Sequence, residues 1–221
     1  MTTIQFQLRQ ATHSDLPAIA ALISEGLSFD GLTIVQTAEE LEEDWGGPYC
    51  FLDQDVVVAE HESHIIGVGY TYFLPSETKE ERCYALGTVK PTFRRKGVGT
   101  ELQQWTTTRA EKLLRSTNRT IPKFLRSDVS TSNTSADFLF KKFNMRPVRW
   151  NEDLIIDLNQ SPEVFVSPGY CVIPWDTSRD EEARVVKNLA FMDHWGSTPT
   201  SEEGWEQLVH GSTARLDQSF F

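Results

Sequence analysis

Val89-Lys90-Pro91-Thr92-Phe93-Arg94-Arg95-Lys96-Gly97-Val98-Gly99-Thr100 is the stretch whose reading decides the fold of this 221-residue chain. Before it, Arg82 to Val89 reads as a strand. After it, Val98, Leu102, Trp105, Leu113 and Leu114 fall on one side of a helix over roughly 98–115. A turn with three cations and two glycines joins the two. Unpaired backbone N–H groups therefore converge at a helix N-terminus, where the helix dipole favours negative charge. Glycine at 97 and 99 lets the backbone approach an anion with no Cβ in the way, while Arg94, Arg95 and Lys96 supply charge. Such a turn suits a pyrophosphate. It is not a Walker loop, which needs Gly-Lys-Ser/Thr after a longer glycine spacing, and it lacks the first glycine of the dinucleotide fingerprint.

Upstream, Ile4, Phe6 and Leu8 alternate with polar residues as in a half-buried strand, and Thr12-His13-Ser14-Asp15 offers caps before Pro17 for a helix through Ile19, Leu22 and Ile23. Thr37-Ala38-Glu39-Glu40 has the form of a capping box opening an acidic helix that Gly46-Gly47-Pro48 must stop. Val56 to Ala59, a turn at Glu62-Ser63 and His64 to Phe73 predict a β-hairpin. Downstream, the pattern predicts a strand from Lys123 to Val129, a helix from Asn133 to Phe143 with Phe138, Leu139 and Phe143 inward, and one or two closing strands between Arg146 and Asp157. The order is β-α-α-β-β-β-α-β-α-β, completing a first domain over 1–158. A linker over 159–169 follows, rich in Ser, Pro and Gly. Tyr170 to Trp175 then predicts a strand, Arg179 to Met192 a helix with Ala183, Val186, Leu189 and Ala190 on its apolar side, and Ser201 to Val209 another. This repeats the opening of the first unit, so 170–221 is expected to be the start of a duplicate that stops early.

The charge balance of 21 basic against 32 acidic residues, a net of −11, argues against nucleic acid, which needs a basic face. No apolar run approaches the ~18 residues of a membrane span, and Met1 to Gln5 lacks the layout of a signal peptide, so the expectation is a cytoplasmic protein without membrane contact. Cys50, Cys83 and Cys171 are odd in number and far apart, which predicts isolated buried thiols rather than disulfides or a thiolate metal site. His61 and His64 flank a hairpin turn with no third ligand near, so no metal is expected.

Arg94-x-x-Gly97-x-Gly99, preceded by Val89-x-Pro91 and followed by an amphipathic helix, resembles the acyl-CoA pyrophosphate motif of the GNAT superfamily of N-acyltransferases. Asn133-x-x-Ala136-x-x-x-Phe140-Lys141-Lys142-Phe143-Asn144-Met145 is similar to that superfamily's later Asn-x-x-Ala…Leu-Tyr-x-x-x-Gly-Phe segment. Phe191 to Pro199, with Glu203 and Trp205, resembles the opening of the C-terminal half in tandem GNAT proteins of the mycothiol-synthase-like kind. The resemblance implies an α/β GNAT fold, a mixed and mostly antiparallel sheet flanked by helices, with acetyl-CoA as cosubstrate and an amine as acceptor. It implies that the strand edge Gly87, Thr88 and Val89 faces the pantetheine arm, that the turn Arg94, Arg95, Lys96, Gly97, Val98, Gly99 and Thr100 holds the phosphates, and that Asn133 bonds the pantetheine.

The departures from the motif carry consequences. Phe140 stands where the family places a tyrosine that protonates the CoA thiolate, and Asn144 replaces the usual glycine. Tyr84 or a water is then the expected acid, and Glu60 and Asp128, each at a predicted strand end, are the candidate bases. A first half that binds acyl-CoA without reacting is the competing reading. Glu39, Glu40, Glu42, Glu43 and Asp44 lean towards a cationic amine acceptor, although acidic first turns also serve the helix dipole. Trp195 and Trp205 are expected to pack between helices. An interrupted second domain would expose apolar strand edges and favour homo-oligomers.

Overall fold

A computed structural model describes residues 4–152, 154–157, 159 and 165–221. The first strand, β1, is Gln7–Gln10, and α1 is Leu16–Phe29, α2 Ala38–Asp44 and α3 the single turn Leu52–Asp55. A meander of β2 (Val56–His61), β3 (His64–Leu74) and β4 (Glu81–Val89) leads into α4 (Val98–Ser116), β5 (Lys123–Arg126) and α5 (Thr134–Lys142). Beyond these lie α6 (Asp180–Ala190) and α7 (Glu202–His210). The sheet order is β1-β2-β3-β4-β5, antiparallel except for the parallel pair β4 and β5.

Period-two patterning places a core on each face of the sheet. Val56 and Val58 point with Val68 into a layer closed by Ile19, Ile23 and Trp45 of the α1–α2 side. Their neighbours Val57 and Ala59 point the other way, with Ile66, onto Val98 and Leu102 of α4. At full burial these side chains are each worth ~2 kcal/mol of apolar transfer, so β2, covered on both faces, is the strand the fold is built around. The expected hairpin turn is present: Glu62 and Ser63 both take positive φ between β2 and β3. The capping box of α2 also forms, with the Thr37 hydroxyl accepting from the Glu40 N–H and the Glu40 carboxylate from the Thr37 N–H.

Several expectations are corrected. Among the described residues no strand lies between 146 and 157; Trp150, Leu154 and Ile156 are exposed, and residue 153 is outside the described set. Leu154-Ile155-Ile156 is consecutive rather than alternating, so no single sheet face could bury all three. Without strands on that side, α5 has no buried residue, and Phe138 is exposed beneath the Arg95 guanidinium instead of inward. The strand expected from Lys123 to Val129 ends at Arg126, because the chain leaves β4 there. Tyr170 to Trp175 forms no strand of the sheet; it makes a bridge of Pro174 with Phe220, where Ile173 and Phe221 exchange backbone hydrogen bonds and the Trp175 N–H donates to Ser219. Val186 and Leu189 of α6 stay exposed, and Cys171 is exposed while Cys50 and Cys83 are buried.

Residues from the C-terminal segment pack on α2 and the stretch that follows it. Trp205 and Val209 of α7 are buried, the Tyr49 hydroxyl lies 3.2 Å from Ser201 Oγ, and Gln207 Nε2 donates to the Glu43 carbonyl at 3.0 Å. Trp195 does not sit between helices but lies under the Arg126 guanidinium, 4.4 Å from its ring centre. No helix among the described residues is long and apolar enough to cross a membrane.

Candidate active site

The site begins where β5 parts from β4. Parallel pairing runs only from Glu81 with Lys123 to Tyr84 with Arg126. The Ser127 hydroxyl then donates to the Ala85 carbonyl at 2.6 Å, and the two chains separate. Backbone groups alternate in direction along a strand. The Lys90 N–H donates to Ile66 on the β3 side, whereas the Glu81 N–H donates to Pro122 on the other side. Gly87 and Val89 therefore turn their backbone groups to the opening, and those of Thr88 are directed at β3. A Cβ on Gly87 would come within 2.5 Å of the Val68 carbonyl oxygen, so the close approach of β3 and β4 requires glycine there.

A cavity of about 570 Å³ fills the opening. Gly87, Thr88, Val89, Arg94, Arg95, Gly97, Gly99, Thr100, Asp128 and Asn133 all line it. Lys96 and Val98 do not: Lys96 lies 4.9 Å from the Phe93 ring centre, and Val98 is fully buried in the core. Glu60 is held away from the cavity, its carboxylate accepting from Arg9 Nε at 2.7 Å. Tyr84 also stands outside the lining, opposite Tyr72 of β3.

At the turn, Arg95 (φ 63°) and Gly97 (φ 95°) are left-handed, and Gly97 caps α4. The Thr100 and Glu101 N–H groups turn back onto the Gly97 carbonyl. The five successive N–H groups from Arg95 to Gly99 have no acceptor among the described residues. A cradle of unpaired donors beside a helix N-terminus fits a pyrophosphate, and the edge offered by Gly87 and the Val89 N–H fits an amide-bearing arm. Arg94 is committed elsewhere: its NH1 and NH2 donate to the two carboxylate oxygens of Asp30 at 2.6 and 3.0 Å, and its Nε donates to the Val89 carbonyl at 3.1 Å. Asn133 caps α5 through Oδ1, which accepts from the Ala136 N–H, while its Nδ2 donates to Asp30.

Phe140 lines the cavity, so the position the family gives to a tyrosine faces the cleft without a proton to supply. Tyr70 of β3 lines it as well, and sequence reasoning passed it over because it reads as one more apolar strand residue. Burial, aided by Cys50, Asp44 and Asp128, pushes its phenol up to about 12, so it stays protonated at neutral pH. Burial likewise pushes the Cys50 thiol upward and that of Cys83 to about 12; neither is a thiolate nucleophile.

A mixed five-stranded sheet that splays beside an anion-accepting helix N-terminus defines the GNAT class of fold. The chain belongs to the acetyltransferase (GNAT) family, whose sequence profile matches residues 25–145, over half its length. Among solved structures, a GCN5-related N-acetyltransferase from Sphaerobacter thermophilus is 26% identical with a TM-score of 0.66, over 94% of this chain and 64% of that one. This chain thus spans less than two thirds of that relative's length. A transcriptional regulator from Bacillus halodurans C-125 shares the fold at 15% identity and a TM-score of 0.51, covering 69% of this chain and 100% of that one. No curated protein matches the chain.

Proposed function

We propose that the protein transfers an acetyl group from acetyl-CoA to a primary amine by direct attack, without a covalent enzyme intermediate. The observation that carries this reading is the cavity between the splayed strands, bounded by the strand-edge groups of Gly87 and the Val89 N–H and by the unpaired N–H cradle from Arg95 to Gly99. When bound, acetyl-CoA supplies an activated acyl carbonyl and a thiolate leaving group. The cradle would hold the pyrophosphate, and the Gly87 and Val89 backbone would orient the pantetheine arm. Asp128, beside the end of β5, lines the cavity, and its carboxylate would accept the amine proton, the other lining carboxylate, Asp30, being paired with Arg94. Tyr70 lines the same cavity as Phe140 and carries the hydroxyl that Phe140 lacks, so it takes the hydrogen-bond donor's role towards the leaving thiolate. Glu60 and Tyr84 stand outside the cavity and are not assigned to the chemistry. The Sphaerobacter likeness runs well beyond the family match, which supports reading 170–221 as part of a tandem, mycothiol-synthase-like arrangement after a first unit over 1–158.

The assay that tests this follows free thiol release from acetyl-CoA with a panel of amines, cationic ones included. Release with at least one amine is expected, and loss of that release in Gly97→Glu, which puts a side chain and a negative charge at the cradle. Full activity in Gly97→Glu would remove the cradle from the mechanism. Phe140 favours a second reading, a half that binds acyl-CoA without turning it over. Saturable binding with no thiol release from any amine would select that reading.

A further inference from the structure

Three elements around the cleft meet at one carboxylate. Asp30 follows the last residue of α1, and its Oδ1 accepts from Arg94 NH1 at 2.6 Å. Its Oδ2 accepts from Arg94 NH2 at 3.0 Å and from Asn133 Nδ2 at 2.8 Å. Its backbone carbonyl accepts from the Ser132 hydroxyl at 2.6 Å. Arg94 adds its bond to the Val89 carbonyl at the end of β4 and lies over the Phe29 ring, 5.1 Å from its centre. Both charged side chains are only 14% exposed. In that setting a bidentate pair is geometrically fixed and resists exchange with solvent.

A guanidinium with three of its five donors engaged, and its charge met by a carboxylate, is poorly free to seize a phosphate. It is well suited to fix the strand end on one wall of the cleft, while Asn133 fixes the helix N-terminus on the other. We propose that Asp30 is a positioning residue for acetyl-CoA. Through Arg94 and Asn133 it holds the phosphate turn and the start of α5 at the spacing the cosubstrate requires, and Arg94 acts as a strut, not as a pyrophosphate ligand. The anion is met by the N–H groups of Arg95 to Gly99, with Arg95 and Lys142, both lining the cavity, supplying charge. This inference rests on the acyl-CoA reading above.

Calorimetric titration of the full chain with acetyl-CoA, as wild type, Asp30→Ala, Arg94→Ala and the double variant, tests it. Each single variant is expected to bind about 10-fold more weakly, and the double variant no more weakly than the worse single, because the pair acts as one unit. In turnover, KM for acetyl-CoA should rise by a similar factor while KM for the acceptor stays constant. A general loss of structure would move both. Unchanged or tighter binding by Asp30→Ala would overturn the proposal, the latter because it would make Arg94 a ligand that Asp30 holds back. Additive losses would overturn it too. Should the wild type bind no acetyl-CoA, the cosubstrate reading fails first, and amide hydrogen exchange of the ligand-free chain decides the brace. In Asp30→Ala the α5 amides are expected to exchange about 10-fold faster with α4 unchanged, and equal rates in α5 would contradict the brace.

Discussion

At the scale of single residues, the cleft separates groups that line it from groups that support it. Tyr70 carries the sharpest chemical prediction: Tyr70→Phe should lower kcat for acetyl transfer by ~10²-fold, the usual worth of a positioned acid. Adding Phe140→Tyr in that background should recover part of the loss, because position 140 faces the same cavity. Full activity in Tyr70→Phe would assign the proton to water. The glycine and arginine turn was legible in the sequence because its signal is local: left-handed positions, a helix start and clustered cations lie within twelve residues. Asp30 was not legible. It pairs with Arg94 across 64 positions of sequence, and nothing around Ser28-Phe29-Asp30 marks that partner.

At the scale of elements, strands and helices with a strong period formed where patterning put them, and those whose stability depends on a distant partner did not. Val56 to Ala59 sorts its side chains onto two faces and finds a cover for each. Arg146 to Asp157 has apolar residues without alternation and stays unpaired among the described residues. The entry to α1 shows a local device with a measurable pH signature. Arg9 holds the Asp15 carboxylate through bonds of 2.7 and 2.8 Å, and Thr12 adds its N–H and hydroxyl. The Arg9 hydrogen bonds lower the carboxyl to about 2 against the opposing effect of burial. A depressed folded-state value means the stabilisation is complete above the unfolded value of ~3.9 and is lost as pH falls through about 2. Asp15→Asn should therefore be less stable than wild type at pH 7, with the gap closing between about pH 4 and 2. Denaturant unfolding across that range measures it, and a gap independent of pH would contradict the assignment.

At the scale of the whole molecule, the C-terminal segment is seated through α7 on α2 and on Tyr49 just after it. A Cβ on Gly204 would lie 2.0 Å from the Tyr49 hydroxyl and 2.9 Å from its ring carbon. Replacing a helical glycine by alanine ordinarily stabilises by about 1 kcal/mol. Here the sign should reverse, with Gly204→Ala lowering Tm by a few degrees, whereas a raised Tm would mean that α7 does not dock on Tyr49. The helices α6 and α7 were legible because they are amphipathic, whereas the strand expected from Tyr170 to Trp175 did not form, and the seat of α7 was not legible, since contacts such as Gln207 with Glu43 span distant stretches of sequence. Every role proposed for these residues depends on the cleft between β4 and β5 being an acyl-CoA site. Amide NMR of the labelled chain during titration with acetyl-CoA tests that most directly. Saturable shifts concentrated on Gly87, Val89 and Arg95 to Gly99 are the predicted result; saturation with shifts elsewhere, or none at all, would contradict it.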